Sequence, residues 1–222
     1  MNYANTASAI PKENAASLAD MVLRVAWLAI LLGIAMEAIM LILAAYKNRF
    51  PALEVIVAGI VQKISWSGLV CTGLAFGTAA SRGNPTWMAL AGLLSAPAAF
   101  SIARALHNST AYAQKAAEAG AAAAFPFLLA GIKGLEYAAL GMILGWAGKH
   151  AAANLKTYAG GGLLIGSTFG TFIAGLATPG GFHSANIVAP LVNEVLFPVG
   201  CSLALFAAKA FGEKAGGDAS RP

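Results

Sequence analysis

Three acidic residues stand where a membrane-spanning chain tolerates them least. Glu37, Glu136 and Glu194 each fall inside a long apolar run, near the middle of the segment that carries it. A charged group at the bilayer centre costs about 2.5–3.5 kcal/mol on insertion scales, and more if it faces lipid. Three of them together cost about 8–10 kcal/mol by the same scale. Such residues belong in the protein interior or against water, where carboxylates hold protons, cations or basic partners. Lys133 precedes Glu136 by one helical turn and lies on the same face, so the two are expected to pair. Glu37 and Glu194 have no basic partner on their own segments; each must carry a proton or meet Lys63 or Lys133 across helices. Asn193, next to Glu194, adds an amide. Three acids against Lys133 alone leave surplus negative charge at mid-depth, which attracts cations or binds protons. Glu37, Glu136, Glu194, Asn193 and Lys133 are therefore the expected transport path.

Other constellations that carry chemistry are missing from the sequence. There is no His-Glu-x-x-His, no Gly-rich loop ending in Lys-Ser, and no Gly-x-Ser-x-Gly. His183 sits in a short polar loop, and His107 and His150 flank apolar spans. Cys71 and Cys201 lie within apolar stretches, without the close spacing of a metal site, and read as buried small hydrophobes. The expectation is a chain that is not an enzyme, with no metal site and no cofactor.

The elements that position these residues follow from composition. Hydrophobic residues make up 59% and charged ones 10%, against about 25% charged in a soluble domain. Mean hydropathy is +0.72. This is the composition of a polytopic membrane protein. A net charge of +5 and a pI near 9.4 would suit nucleic acid, but the basic residues sit at the ends of apolar spans, as membrane flanks do. No nucleic-acid partner is expected. The first twenty residues lack the basic stretch, short apolar core and small-residue site of a cleaved signal peptide.

A membrane helix needs about 20 apolar residues, and six segments qualify. They run over Val25–Tyr46, Leu53–Ala80, Pro85–Leu106, Phe125–Ala147, Tyr158–Ala177 and Ala185–Phe211. The expected fold is all-α, with a polar segment 1–24, a first three-helix unit 25–106, an Ala-rich interfacial connector 107–124, a second three-helix unit 125–211 and a polar tail 212–222.

The two units echo each other. Lys63–Thr78 recurs without a gap as Lys156–Thr171, with Lys, Phe, Thr and three glycines in register. Pro97–Ala103 likewise matches Pro198–Ala204. Three helices per unit is an odd number, so a connector that does not cross the membrane makes the repeats inverted. Duplicated halves of this kind carry the substrate path at their seam in many transporters.

Small residues mark where helices approach closely. Gly162, Gly166 and Gly170 recur every four residues and share a face; Gly73 and Gly77 repeat the pattern in the second span. They are expected to form tight helix contacts or a gate, with a helix break at Gly160–Gly162 as the alternative. Pro97 and Pro198 are expected to kink their helices, with Ser101 and Ser202 bonded to the freed carbonyls.

Loop charges favour both termini in the cytoplasm, and small size suggests a bacterial inner membrane. The expected activity is transport of a cation, or of a small solute with protons, by a transporter or channel embedded in the lipid bilayer. A homo-oligomer is expected. The alternative is a non-transporting subunit that docks on a partner membrane subunit through its glycine faces.

Overall fold

The structure, a computed structural model, describes residues 12–80, 84–113, 126–150, 154–178, 180–183 and 186–219. Helix α1 spans Lys12–Tyr46, α2 Leu53–Ala80, α3 Pro85–Ala113 and α4 Pro126–Gly148. The fifth span is α5 (Leu155–Ile165), a π-helical turn Gly166–Gly170, and α6 (Thr171–Ala177); α7 covers Val188–Ala219. Among the described residues, six helical spans are long and apolar enough to cross a membrane. Lipid offers the backbone no hydrogen bonds, so chains of this composition satisfy them within each helix.

Several ends differ from the sequence expectation. Helix α1 starts at Lys12, within the segment read as polar and non-spanning, and α7 runs to Ala219, through most of the expected tail. Ala and Lys favour helix whether or not lipid surrounds them, so hydropathy marks the membrane window and not the helix end. The same holds for α3, which extends through Ala113 into the expected connector. The rest of that connector, with Lys115 and Glu118, lies outside the described residues, as do Arg82, Pro179 and Ser184.

Two termini have clear local causes. Asn154 caps α5: its side chain accepts from Lys156 N at 3.0 Å and Thr157 N at 3.2 Å, and Thr157 reciprocates toward the Asn154 backbone. Helix α1 stops where Asn48 adopts φ 53° and Arg49 N bonds back to Ala44 O at 2.9 Å, a left-handed helix ending that asparagine tolerates.

The spans alternate in direction. The ends of α1, α3 and α6 meet the beginnings of α2, α4 and α7 around one cavity, and their opposite ends meet around another. Packing runs from α1 to α2, α3 and α4, then through α5 to α7 and back to α1. The tightest seam is α3 against α4. A Cβ on Gly145 would lie 2.7 Å from Pro85 Cα, and one on Gly134 3.1 Å from Leu93 O; Gly92 and Gly141 press on the Tyr137 and Met88 carbonyls. Backbones this close leave room only for glycine.

The glycines singled out in the sequence also lie at seams. Gly73 and Gly77 face Ser95 and Ala91 of α3, with a Cβ at 2.5 Å from each neighbouring Cβ. Gly162, Gly166 and Gly170 face Val199, Val195 and Glu194 of α7. The helix does not break at Gly160–Gly162. The irregularity comes one turn later, in the π turn Gly166–Gly170, where Ser167, Thr168 and Thr171 hydroxyls bond the carbonyls four residues back.

Helices α3 and α7 continue through Pro97 and Pro198. Ser101 and Ser202 donate to the carbonyls of the prolines themselves, at 2.9 and 2.7 Å, and not to those the prolines leave free. The freed carbonyls, four residues earlier, are Leu93 O and Glu194 O. Each faces a glycine of the next helix: a Cβ on Gly134 would meet Leu93 O at 3.1 Å, and one on Gly170 would meet Glu194 O at 2.9 Å.

Candidate transport site

The five charged side chains of the interior gather in one ion pair, Glu37 with Lys63, and one three-residue cluster, Lys133 with Glu136 and Glu194. Gly33 lets α1 and α2 touch, since a Cβ there would lie 2.7 Å from the Ile64 backbone. One turn on, Lys63 Nζ donates to Glu37 Oε2 at 2.5 Å. Gly59 makes room for this carboxylate, because a Cβ at Gly59 would come within 2.6 Å of Glu37 Oε1. On α4, Lys133 Nζ donates to Glu136 Oε2 at 2.8 Å. The same ammonium donates to Glu194 on α7. Glu194 thus uses a cross-helix lysine, one of the two ways open to it from the sequence, and Glu37 does the same.

Bringing Lys63 into the group changes the charge balance read from the sequence. Three carboxylates now face two ammonium groups instead of one. The residual formal charge with all groups ionised is one negative, half the surplus of two negative charges expected with Lys133 alone. The pairing also explains how charges survive here. An unpaired buried ion costs several kcal/mol, whereas paired and hydrogen-bonded ions recover most of that.

Aromatic rings surround Lys133. Its Nζ lies 5.4 Å from the Trp66 ring centre and 5.8 Å from that of Tyr137. Trp66 in turn meets Tyr137 edge-on at 5.7 Å and Phe100 at 6.5 Å. A cation over such faces gains electrostatic stabilisation that grows as water is excluded.

A cavity of about 320 Å³ opens beside this group. Lys63, Lys133, Glu194, Asn193 and Gln62 supply its polar wall; Trp66, Phe100 and Phe197 are its largest apolar contributors. Glu37 and Glu136 do not line it. They lie behind their lysines, 6% and 0% exposed. The cavity reaches Ala177 and Ala189 at the ends of α6 and α7. Glu194 is about 9 Å into α7 and Lys133 about 10 Å into α4 at 1.5 Å per residue. Both residues thus lie nearer the start of their helices than the end.

A second cavity, about 270 Å³, lies at the other end of the bundle among Met21, Thr78, Met88, Leu144, Tyr158 and Lys209. Between the two, Val70, Cys71, Leu74, Tyr137, Leu140 and Cys201 are all fully buried. Cys71 and Cys201, from α2 and α7, bring their sulfurs to 2.9 Å within this plug. They are buried, as expected, but they also touch, which their positions in sequence do not reveal.

Three polar atoms of the residues around Lys133 have no hydrogen-bond partner among the described residues: Glu136 Oε1, Asn193 Oδ1 and the Tyr137 hydroxyl. No group of three or more metal-ligating side chains occurs among the described residues. His183 lies exposed in a single 3-10 turn, and Glu54 is exposed in the first turn of α2. Gly73, Gly77 and Pro97 are outside the cavity wall, and so are Gly162, Gly166, Gly170 and Pro198. The last four nevertheless shape the face of α7 that presents Glu194.

Comparison with known proteins returns no match: no family model, no curated protein sequence and no solved structure aligns with the chain.

Proposed function

We propose that this chain is a membrane transporter that moves a small solute, coupled to a proton or cation, through the cavity at Lys133. The observation that carries this reading is the pair of cavities at opposite ends of the bundle, separated by a fully buried plug. A pathway open on one side and sealed toward the other suits alternating access better than a continuous pore. Intramembrane ion pairs are the usual mark of such pathways, and the residual negative charge gives the coupling proton or cation a place to bind. The carboxylates Glu37, Glu136 and Glu194 would exchange their lysine partners as the cavity loads and empties.

An inverted repeat supports the same reading. If α1, α2 and α3 correspond to α4, the fifth span and α7, then the α3–α4 seam corresponds to the α7–α1 seam. Both contacts exist. The alternation of directions makes α1 and α4 antiparallel, as inversion requires. The correspondence does not extend to the charges: Glu37 uses Lys63, whereas Lys156, its match in the second half, is exposed at the start of α5. Such asymmetry fits one binding site on one face at a time. Loop charges orient both termini toward the cytoplasm, which turns the Lys133 cavity outward, and a bacterial inner membrane suits the size.

One observation favours a second role. Gly73, Gly77, Ala91 and Ser95 floor an apolar groove on the outside of α2 and α3, walled by Phe76, Trp87 and Leu94. A helix of a partner subunit or of another copy would fit there.

The test is flux in proteoliposomes under a proton gradient, with a mixture of small polar solutes inside. Intact protein should drive net proton movement that depends on solute, and the Glu194→Gln variant, which leaves Lys133 paired with Glu136, should lose it while keeping its thermal stability. Equal flux in both proteins would remove the Lys133 cavity from the path.

A further inference from the structure

We infer that the solute taken by the Lys133 cavity is a small zwitterion with an apolar body, of the α-amino acid class; the inference rests on the transport reading above. It starts from what the wall presents. Of the five interior charges, only Lys63, Lys133 and Glu194 line the cavity, so a solute meets two ammonium groups and one carboxylate. An ammonium carries three donors. Lys63 uses one on Glu37, and Lys133 uses two, on Glu136 and Glu194. Donors remain on both for a solute carboxylate, and such a carboxylate would be held by charge-assisted bonds in a dry setting.

The acceptors point to the opposite end of the solute. Asn193 Oδ1 is buried, lines the cavity and lacks a donor, and Glu136 Oε1 behind Lys133 lacks one too. Unsatisfied acceptors at this depth are costly. A primary ammonium placed between Asn193 and Glu194 supplies the donor that Asn193 lacks and gives the Glu194 carboxylate a second cationic partner besides Lys133. Carboxylate toward the lysines and ammonium toward Asn193 and Glu194 is the charge pattern of a zwitterion.

Size and the remaining wall set the body. About 320 Å³ lies at the small end of ligand pockets, roughly 300–1,000 Å³, which suits a metabolite and not a peptide. Trp66, Phe100, Leu129, Ile173 and Phe197 offer an apolar surface for a hydrocarbon side chain. A dehydrated metal cation fits poorly, because it needs several oxygens at about 2.0–2.6 Å, and here lysines face the same space. A zwitterion adds no net charge, so the residual negative charge of the group stays available to the coupling proton.

The experiment is uptake into proteoliposomes of four probes: leucine, isopentylamine (the same body without the carboxylate), 4-methylpentanoate (the same body without the amine) and potassium ion. After subtraction of entry into protein-free liposomes, which the uncharged amine and acid cross unaided, leucine should enter at least tenfold faster than any of the others. Asn193→Leu, which changes no charge, should narrow the preference for leucine over 4-methylpentanoate. Entry of isopentylamine or potassium as fast as leucine would overturn the zwitterion while leaving transport intact. Entry of 4-methylpentanoate as fast as leucine would do the same. If none of the four enters through protein whose thermal unfolding is cooperative, but other solutes drive proton flux, the zwitterion falls alone. If no solute drives flux, the transport reading falls with it.

Discussion

Lys133 of α4 and Glu194 of α7 share a hydrogen-bonded ion pair in the wall of the 320 Å³ cavity. It ties together two helices that otherwise touch little, so the polar contact carries much of the link between them. Exchange of this pair for a solute would loosen α7 from α4 at one membrane face. Gly162, Gly166 and Gly170 keep α7 close against the fifth span.

The Glu37–Lys63 pair should behave as a buried ion pair. Lys63→Met leaves Glu37 without its ammonium and should cost about 3–5 kcal/mol. Adding Glu37→Leu should restore most of that loss, since apolar replacement of both partners is often neutral. Thermal unfolding in detergent reads the difference. A single Lys63→Met variant as stable as the parent would show that the pair is absent.

The sulfur contact gives a covalent check on how α2 meets α7. Before denaturation neither Cys71 nor Cys201 should react with an aqueous maleimide, because both are fully buried; after denaturation both should. Treatment with iodine, a membrane-permeant two-electron oxidant, should join the two sulfurs and remove both thiols, releasing two protons and two iodide ions. The product should run as a monomer. Two thiols remaining after oxidation would contradict the α2–α7 packing.

The α3–α4 seam should be intolerant of side chains. Gly141→Ala forces a methyl against the Met88 carbonyl and should destabilise by about 1–3 kcal/mol. Gly68→Ala and Gly131→Ala meet nothing within 4 Å and should stay within about 0.5 kcal/mol of the parent. Melting temperatures of the three variants check the contrast; equal losses at all three sites would contradict the seam.

Much of this arrangement is legible in the sequence, and what is not has a common cause. Six apolar spans with flanking charges locate the helices, and the one-turn spacing of Lys133 and Glu136 gives a pair that local geometry alone can form. Gly162, Gly166 and Gly170 announce a shared face. What the sequence hides is rotation, meaning which face of one helix meets which of another. Trp66 and Phe100 read as ordinary span residues until α2, α3 and α4 come together. Cys71 and Cys201 touch only because α2 and α7 cross there. Gly134, Gly141 and Gly145 fall on a related face and carry a signal, but Gly92, which meets Tyr137 across the same seam, stands alone on α3. The π turn at Gly166–Gly170 leaves no mark beyond its glycines.

The buried plug between the two cavities tests the central claim most directly. In a Cys71→Ser/Cys201→Ser background, single cysteines at Ala189, Ala79 and Leu140 would be exposed to a membrane-impermeant maleimide from each side of oriented vesicles. The account predicts that, without solute, Ala189→Cys labels from one side only, Ala79→Cys from the opposite side only, and Leu140→Cys from neither. Labelling of Leu140→Cys from both sides without solute would mean a continuous aqueous pore and would contradict transport by alternating access.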